Sequence, residues 1–285
     1  MEVVGANPIY SFFDERKEIR EARNSTIRRG DGHTVSSYIE LAKKVAELQY
    51  RNRDLHFLYR GQSKDYKSKS KGASLLKATI FRLKGGMLPT EEEVERRFDY
   101  LRSMENELIA EYAAQSLPET ERLKRYRIVR WAMLQHYDVC ATPLFDVTQS
   151  LRVATSFAML GNSTTEAFVF VFGVPNISGA TTASSESGLQ ILRLSSACPP
   201  DAARPHLQEG YLMGEYPELS DFRGKSSYRY HELDFGRRLV AKFRFNPFDF
   251  RDGGKFVPLD AIDFFPSKDD DPLRRVCAKI QNRNK

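Results

Sequence analysis

The segment Ala167-Phe168-Val169-Phe170-Val171-Phe172-Gly173-Val174 constrains this chain more than any other. Eight consecutive apolar residues, mostly β-branched or aromatic, predict a strand buried on both faces. The run is far short of the roughly 18 to 20 residues that a membrane-crossing helix needs. Such a strand cannot stand alone, since its edges need partners and its faces need cover, so the chain must build a sheet around it. With 285 residues, 41% hydrophobic and 29% charged, there is material for one large domain or two small ones.

Helical patterns fill much of the first half. Residues 34 to 50 place Tyr38, Ile39, Ala42, Val45 and Leu48 at a 3.6-residue period, with Ser37 and Glu40 spaced for a capping box. Thr90 and Glu93 open a second helix whose face is Val94, Phe98, Leu101, Leu108 and Tyr112. Residues 121 to 137 read as a third, with Tyr126, Val129, Met133 and Leu134 inward, and residues 149 to 160 as a fourth. Between them Leu55 to Arg60 reads as a strand stopped by Gly61, and Leu144 to Val147 as another. Further strands are expected at 189–194, 207–213, 239–245 and 261–265, with loops over 176–188 and 214–231. Helices dominate early and strands late, without regular alternation, which favours an α+β fold. The expected division is a basic N-terminal extension over residues 1–33 and a single domain over 34–285.

Three cysteines, Cys140, Cys198 and Cys277, are far apart and lack C-x-x-C spacing, so neither a disulfide framework nor a metal site is expected. The N-terminus has no basic start followed by an apolar stretch, and the expectation is a cytoplasmic protein without a membrane partner. Lys and Arg total 44 against 38 for Asp and Glu, a formal charge of +6. Much of the excess falls in residues 16–29 and 64–84. The second stretch carries Lys64, Lys67, Lys69 and Lys71 around Tyr66, with acids nearly absent. Basic side chains interleaved with an aromatic suit a single-stranded nucleic acid, through counterion release and base stacking; a solvated lysine loop is the competing reading.

The common enzyme signatures, G-x-G-x-x-G, G-x-x-x-x-G-K-[ST], G-x-S-x-G and H-E-x-x-H, are absent from the sequence. Polar residues instead cluster at element ends. Tyr59-Arg60-Gly61-Gln62 puts a guanidinium and an amide at a strand end, with a glycine that would let a ligand approach the backbone. Gln135-His136-Tyr137 closes a helix, and Asp146 and Thr148 end a strand just before a helix N-terminus. Arg204, Gln208, Glu209 and Gly210 form a fourth cluster. Singly, each has a structural explanation: a buried pair for Arg60 and Asp146, a cap for Thr148, a core histidine at 136, a solvent edge at 208 and 209.

Together they resemble the FRG domain family, named for its Phe-Arg-Gly motif. The family pattern F-R-G-Q is matched by Tyr59 to Gln62, its Leu-Leu-Pro and basic residue by Leu75-Leu76-Lys77 with Arg82, and Q-H by Gln135-His136. T-R-L-L-D-W-T is matched by Thr142 to Thr148, A-x-x-F-A by Ala154 to Ala158, and R-x-x-x-Q-x-G-x-F by Arg204 to Tyr211. Departures are Tyr59 for Phe, Asp138 for a usual glycine, Pro143 for Arg, Phe145 and Val147 for Leu and Trp, and Glu209 after Gln208.

The order of these motifs is similar to that of the ADP-ribosyltransferase fold, which implies a split mixed β-sheet core with a helical N-terminal half. The resemblance also implies an NAD-dependent ADP-ribosyltransferase of the toxin or anti-phage effector type. It would consume NAD without a metal, modify a macromolecule and answer to an antitoxin or inhibitory protein. In this reading Arg60, Gln208 and Glu209 are catalytic. Tyr59, Arg60, Gln62, His136, Tyr137, Asp146, Thr148 and Arg204 hold NAD, with Tyr137 stacking on it, and Gln208 or Glu209 meets the ribose. Lys64, Tyr66, Lys67, Lys69 and Lys71 hold a single-stranded RNA or DNA acceptor. The alternative is a non-catalytic module that binds a nucleotide or nucleic acid.

Overall fold

The computed structural model describes residues 8–68, 71–82, 89–217, 234–252, 256–267 and 271–283. The architecture is mixed α+β, and the chain divides into two compact units. Among the described residues no helix is long and apolar enough to cross a membrane.

Unit one comprises residues 1–76, 147–177 and 235–263. Its centre is the strand Ala167–Val174, every residue of which is buried, as the apolar run predicts. Leu239–Phe245 and His56–Gln62 pair with it antiparallel on either side. His33–Thr34 adds to the outer edge of Leu239–Phe245 in parallel, and Tyr59 pairs with Thr148 on the other flank. One face holds Val169, Val171, Phe57, Phe243 and Phe245, closed over by the helix Tyr38–Arg51 through Leu41, Val45 and Leu48. The helix begins as its sequence dictates: the Ser37 side chain accepts from the Glu40 backbone N–H. The Glu40 carboxylate reaches back one residue further than a capping box requires, accepting from the Ser36 N–H and hydroxyl at 2.8 Å each. Residues 8–33 contribute the antiparallel pair Ile9–Ser11 and Arg20–Ala22, the helix Asn24–Arg29, and buried Phe12 and Ile27.

Two details of unit one differ from expectation. The strand at 55–60 runs through Gly61 to Gln62, because the missing Cβ is needed on the face where the helix Leu151–Met159 lies. A Cβ there would sit 2.7 Å from the Ala158 nitrogen and run into the Ala154 carbonyl. The space beside Gly61 is thus taken by a helix and not left for a ligand. The expected strand at 261–265 is the short helix Ala261–Phe264; four residues are too few for periodicity to separate the two.

Lys242 is fully buried in the middle of the Leu239–Phe245 strand. Its Nζ donates to the Gly30 carbonyl at 2.5 Å, Asp65 Oδ2 at 2.6 Å and Ser74 Oγ at 3.1 Å. Burial lowers the Lys242 pKa, and Asp65 opposes that shift. Removing either partner alone would strand a buried charge, which costs about 3–5 kcal/mol in comparable pairs.

Unit two comprises residues 77–146, 178–234 and 264–285. Its helical layer is built on Glu91–Ala114, whose Thr90 cap accepts from the Glu93 N–H as the spacing predicts. Glu105 in that helix is buried and accepts from Trp131 Nε1 at 2.7 Å and Arg130 Nε at 2.8 Å. Glu111, six residues on, accepts from Lys279 and Arg283 at 2.8 Å each and so fastens the C-terminal helix Pro272–Arg283. The hydrogen bond from Lys279 is the largest of the effects that hold the Glu111 carboxyl below its ordinary pKa. Gly210–Glu215, Leu189–Arg193 and Thr181–Ser184 form an antiparallel sheet. The last of these strands falls within the expected 176–188 loop, its Ser/Thr-rich edge being too polar to signal a strand.

The helix expected over 121–137 is two, Thr120–Arg125 and Arg127–His136. Tyr126 between them has extended backbone and lies exposed rather than inward. The strand expected from 207 begins at Gly210, preceded by the short helix Ala203–Leu207. Most of the expected 214–231 loop lies outside the described residues.

Candidate functional site

On the His56–Gln62 strand the alternation of side chains sends Tyr59 toward the core built on Val169 and Val171. Arg60 and Gln62 therefore share the opposite face, in register with Phe170 and Phe168. Lys242 and Arg244 continue the same two rows across the next strand. The face thus presents Arg60, Phe170 and Lys242 in one row and Gln62, Phe168 and Arg244 in the other. Gln62 Oε1 is buried without a hydrogen-bond partner. Tyr59 is packed into the core, and burial, then neighbouring Tyr38, push its phenol up to about 12. Thr148 is buried, and its hydroxyl accepts from the Ser150 N–H at 3.1 Å at the start of the helix Leu151–Met159.

The loop that follows the strand borders a cleft of about 430 Å³, lined in part by Lys64, Asp65 and Lys67. Lys64 and Lys71 are exposed, as is Tyr66 at 53%. Lys67 is paired with Asp31 at 2.6 Å, so its charge is locally balanced by an acid from outside the acid-poor stretch. Lys69 lies outside the described residues.

In unit two the remaining residues surround the end of the helix Arg127–His136. Gln135 is the hub: its Oε1 accepts from Thr79 and Thr142 hydroxyls at 2.8 and 3.0 Å, and its Nε2 donates to Asp146 Oδ2 at 2.6 Å. The segments around residues 79, 142 and 146 are joined by that one side chain. Asp138 follows the helix with a φ of 56°, the left-handed conformation in which glycine is usual and aspartate tolerated. Tyr137 is buried, its hydroxyl donating to Asp271 Oδ2 at 2.8 Å and its ring covered by the Arg204 guanidinium at 5.5 Å. Arg204 also lies 4.8 Å from the Phe265 ring, bonds Asp138 at 2.9 Å, and keeps Nε buried without a partner. Gln208 is buried and donates to the Phe264 carbonyl at 3.0 Å, whereas Glu209 is exposed with a φ of 43°.

His136 is buried, and its Nε2 has no hydrogen-bond partner. Burial holds its pKa well below the ordinary histidine value, the Arg204 charge adds to that, and the Arg204 backbone opposes it. The unfolded chain takes up this proton near pH 6.5 while the folded chain does not, so stability falls as pH drops below that value. The expected contribution of His136 is a slope of up to about 1.4 kcal/mol per pH unit. Denaturant unfolding at pH 5 to 7 should show it, and His136→Gln should flatten it; an unchanged slope in the folded variant would refute the assignment.

Among the described residues no group of three or more His, Cys, Asp or Glu side chains is placed to hold a metal ion. Three residues of these clusters escaped the sequence reading as site residues. Gln135 stands beside the selected His136. Asp271 caps the C-terminal helix, a role signalled by the Asp271-Pro272 dipeptide. Asp65 is the lone acid between residues 64 and 84, and a single acid in a basic stretch is itself a signal.

No curated protein and no solved structure matches the chain. Residues 55–167 match the family model described as FRG domain. The match includes Tyr59, Arg60, Gln62, His136, Tyr137, Asp146 and Thr148 and ends before Arg204, Gln208 and Glu209. Over residues 55–167 the chain is thus similar to the FRG domain family.

Proposed function

We propose that this chain is an NAD-dependent ADP-ribosyltransferase that modifies single-stranded nucleic acid, acting as a toxin or anti-phage effector restrained by a partner protein. The observation that supports it best is that His136 Nε2 and Arg204 Nε, both in unit two, are buried without hydrogen-bond partners. Buried polar atoms are nearly always paired, so orphans at motif residues suit a ligand that completes them. NAD offers matching chemistry: a hydroxyl donor for His136 and phosphate oxygens for Arg204.

In the reaction the C1′–nicotinamide bond breaks, the ribose passes through a cationic oxocarbenium-like state, and a nucleophile of the acceptor forms the new bond while losing its proton. Glu209 is assigned to the ribose, because Gln208 is committed to the Phe264 carbonyl while Glu209 is exposed and charged. Tyr137 takes a positioning role beneath Arg204 in place of stacking, since its ring is already covered. That burial also favours a second reading, a module that binds a nucleotide without cleaving it.

The test is to incubate the full chain with NAD labelled in its adenylate half, together with separate RNA, DNA and protein pools. Label on single-stranded nucleic acid is the expected result. Free ADP-ribose alone would replace transfer by hydrolysis, and bound but uncleaved NAD would establish the second reading.

A further inference from the structure

The cleft beside the Ser63–Lys67 loop combines features that the NAD chemistry does not use. Asp65 lines it with a side chain only 5% exposed. Its Oδ2 is occupied by Lys242 and Ser74, but Oδ1 is buried and has no hydrogen-bond partner. Phe168 supplies an aromatic wall, and Gln62 stands in register with it on the same face, also with an orphaned acceptor oxygen.

The charges around the cleft are largely balanced within the protein. Lys67 is paired with Asp31, and Arg244 with Glu15 at 3.0 Å and Glu166 at 3.5 Å. A free phosphate would find those cations engaged, and a cation would meet Lys242 directly behind Asp65. What the interior lacks is a hydrogen-bond donor, and a ligand that fits must be neutral, flat enough to lie against Phe168, and rich in N–H or O–H groups. A volume of about 430 Å³ holds a molecule of that kind. Exposed Lys64 and Tyr66 on the adjoining loop are what a polyanionic strand continuing out of the cleft would need.

We infer that this cleft receives one unpaired nucleoside of a single-stranded nucleic acid, whose base or ribose donates a hydrogen bond to Asp65 Oδ1. The inference rests on the reading of nucleic acid as acceptor and names where that strand docks; it does not require NAD to be cleaved.

The experiment measures binding of a fluorescein-labelled single-stranded RNA, about 12 nucleotides long, to the full chain by anisotropy in the absence of NAD. Thr165 is exposed and lines the cleft, so Thr165→Trp is expected to fill the cleft without disturbing the fold. Asp65→Asn turns its carbonyl to Lys242 and offers the cleft a donor where the ligand needs an acceptor. Each is expected to weaken binding at least about tenfold, with Lys64→Gln lowering the salt dependence of what remains.

Should Asp65→Asn fail to fold, Thr165→Trp decides alone. Unchanged affinity in Thr165→Trp, equal affinity for the same sequence as duplex, or full competition by free nucleoside at the concentration of the RNA would overturn the inference. Nicotinamide release is assayed separately. Release without binding in the cleft refutes this inference only, whereas cleft-dependent binding without release refutes the NAD reading only.

Discussion

Gly61→Ala is expected to yield a chain that does not fold stably. The helix Leu151–Met159 lies so close to the His56–Gln62 strand that an added Cβ would meet the Ala158 nitrogen at 2.7 Å and collide with the Ala154 carbonyl. Both obstructing groups are main chain, so no rotamer change can clear them. The strand cannot retreat either, since Gly61 is held in register against Val169 of the central strand. Overpacking a core with side-chain neighbours costs about 1–3 kcal/mol. A clash of a Cβ with immovable main chain belongs with the exceptional substitutions above about 4 kcal/mol, a large share of the 5–15 kcal/mol that holds a typical domain. Thermal and denaturant unfolding of the purified variant would check this. Ala154→Gly should give no rescue, because it removes a side chain that is not in the way. A melting temperature within a few degrees of the parent would show that the helix can move, and would remove this explanation of the glycine in the Tyr59-Arg60-Gly61-Gln62 motif.

The second large effect is expected at Glu209, where stability and activity should part. Glu209 follows the helix Ala203–Leu207 in the left-handed conformation, at a position after the C-cap where glycine is the usual occupant. A glutamate held there carries strain of order 1 kcal/mol. Glu209→Gly should therefore leave stability unchanged or raise it by up to about 1 kcal/mol. If the carboxylate stabilises the cationic ribose, the same substitution should lower nicotinamide release by about a hundredfold or more. Gln208→Ala should instead cost stability, since it leaves the Phe264 carbonyl without its buried donor. Wild-type turnover in a folded Glu209→Gly protein would exclude the carboxylate from the chemistry. A sharp loss of melting temperature would show that the left-handed turn is held by the side chain itself.

Elements that announce themselves locally were legible in the sequence. The Ala167–Val174 strand follows from an unbroken apolar run, and both capped helices follow from Ser37 with Glu40 and Thr90 with Glu93, because a cap is a bond between residues three apart. The FRG motif residues were legible for a similar reason, as residue types in a fixed order. Where the signal was short or shared, the reading failed: Ala261–Phe264 suits helix and strand equally, Tyr126 breaks a helix that periodicity alone would continue, and the polar Thr181–Ser184 strand is specified by its partner.

The sequence by itself determined the α+β class, the central strand and the residue order of the FRG domain, since each depends on neighbours along the chain or on composition. Only the tertiary structure decided what Gly61 makes room for, that Asp65 and Lys242 form a buried pair across 177 positions, and that Lys67 is balanced by Asp31. It also decided which polar atoms remain unpartnered, at Gln62, Asp65, His136 and Arg204. Partnership and burial belong to groups brought together by folding, and charge or residue type along the chain cannot report which atoms will be left without a mate.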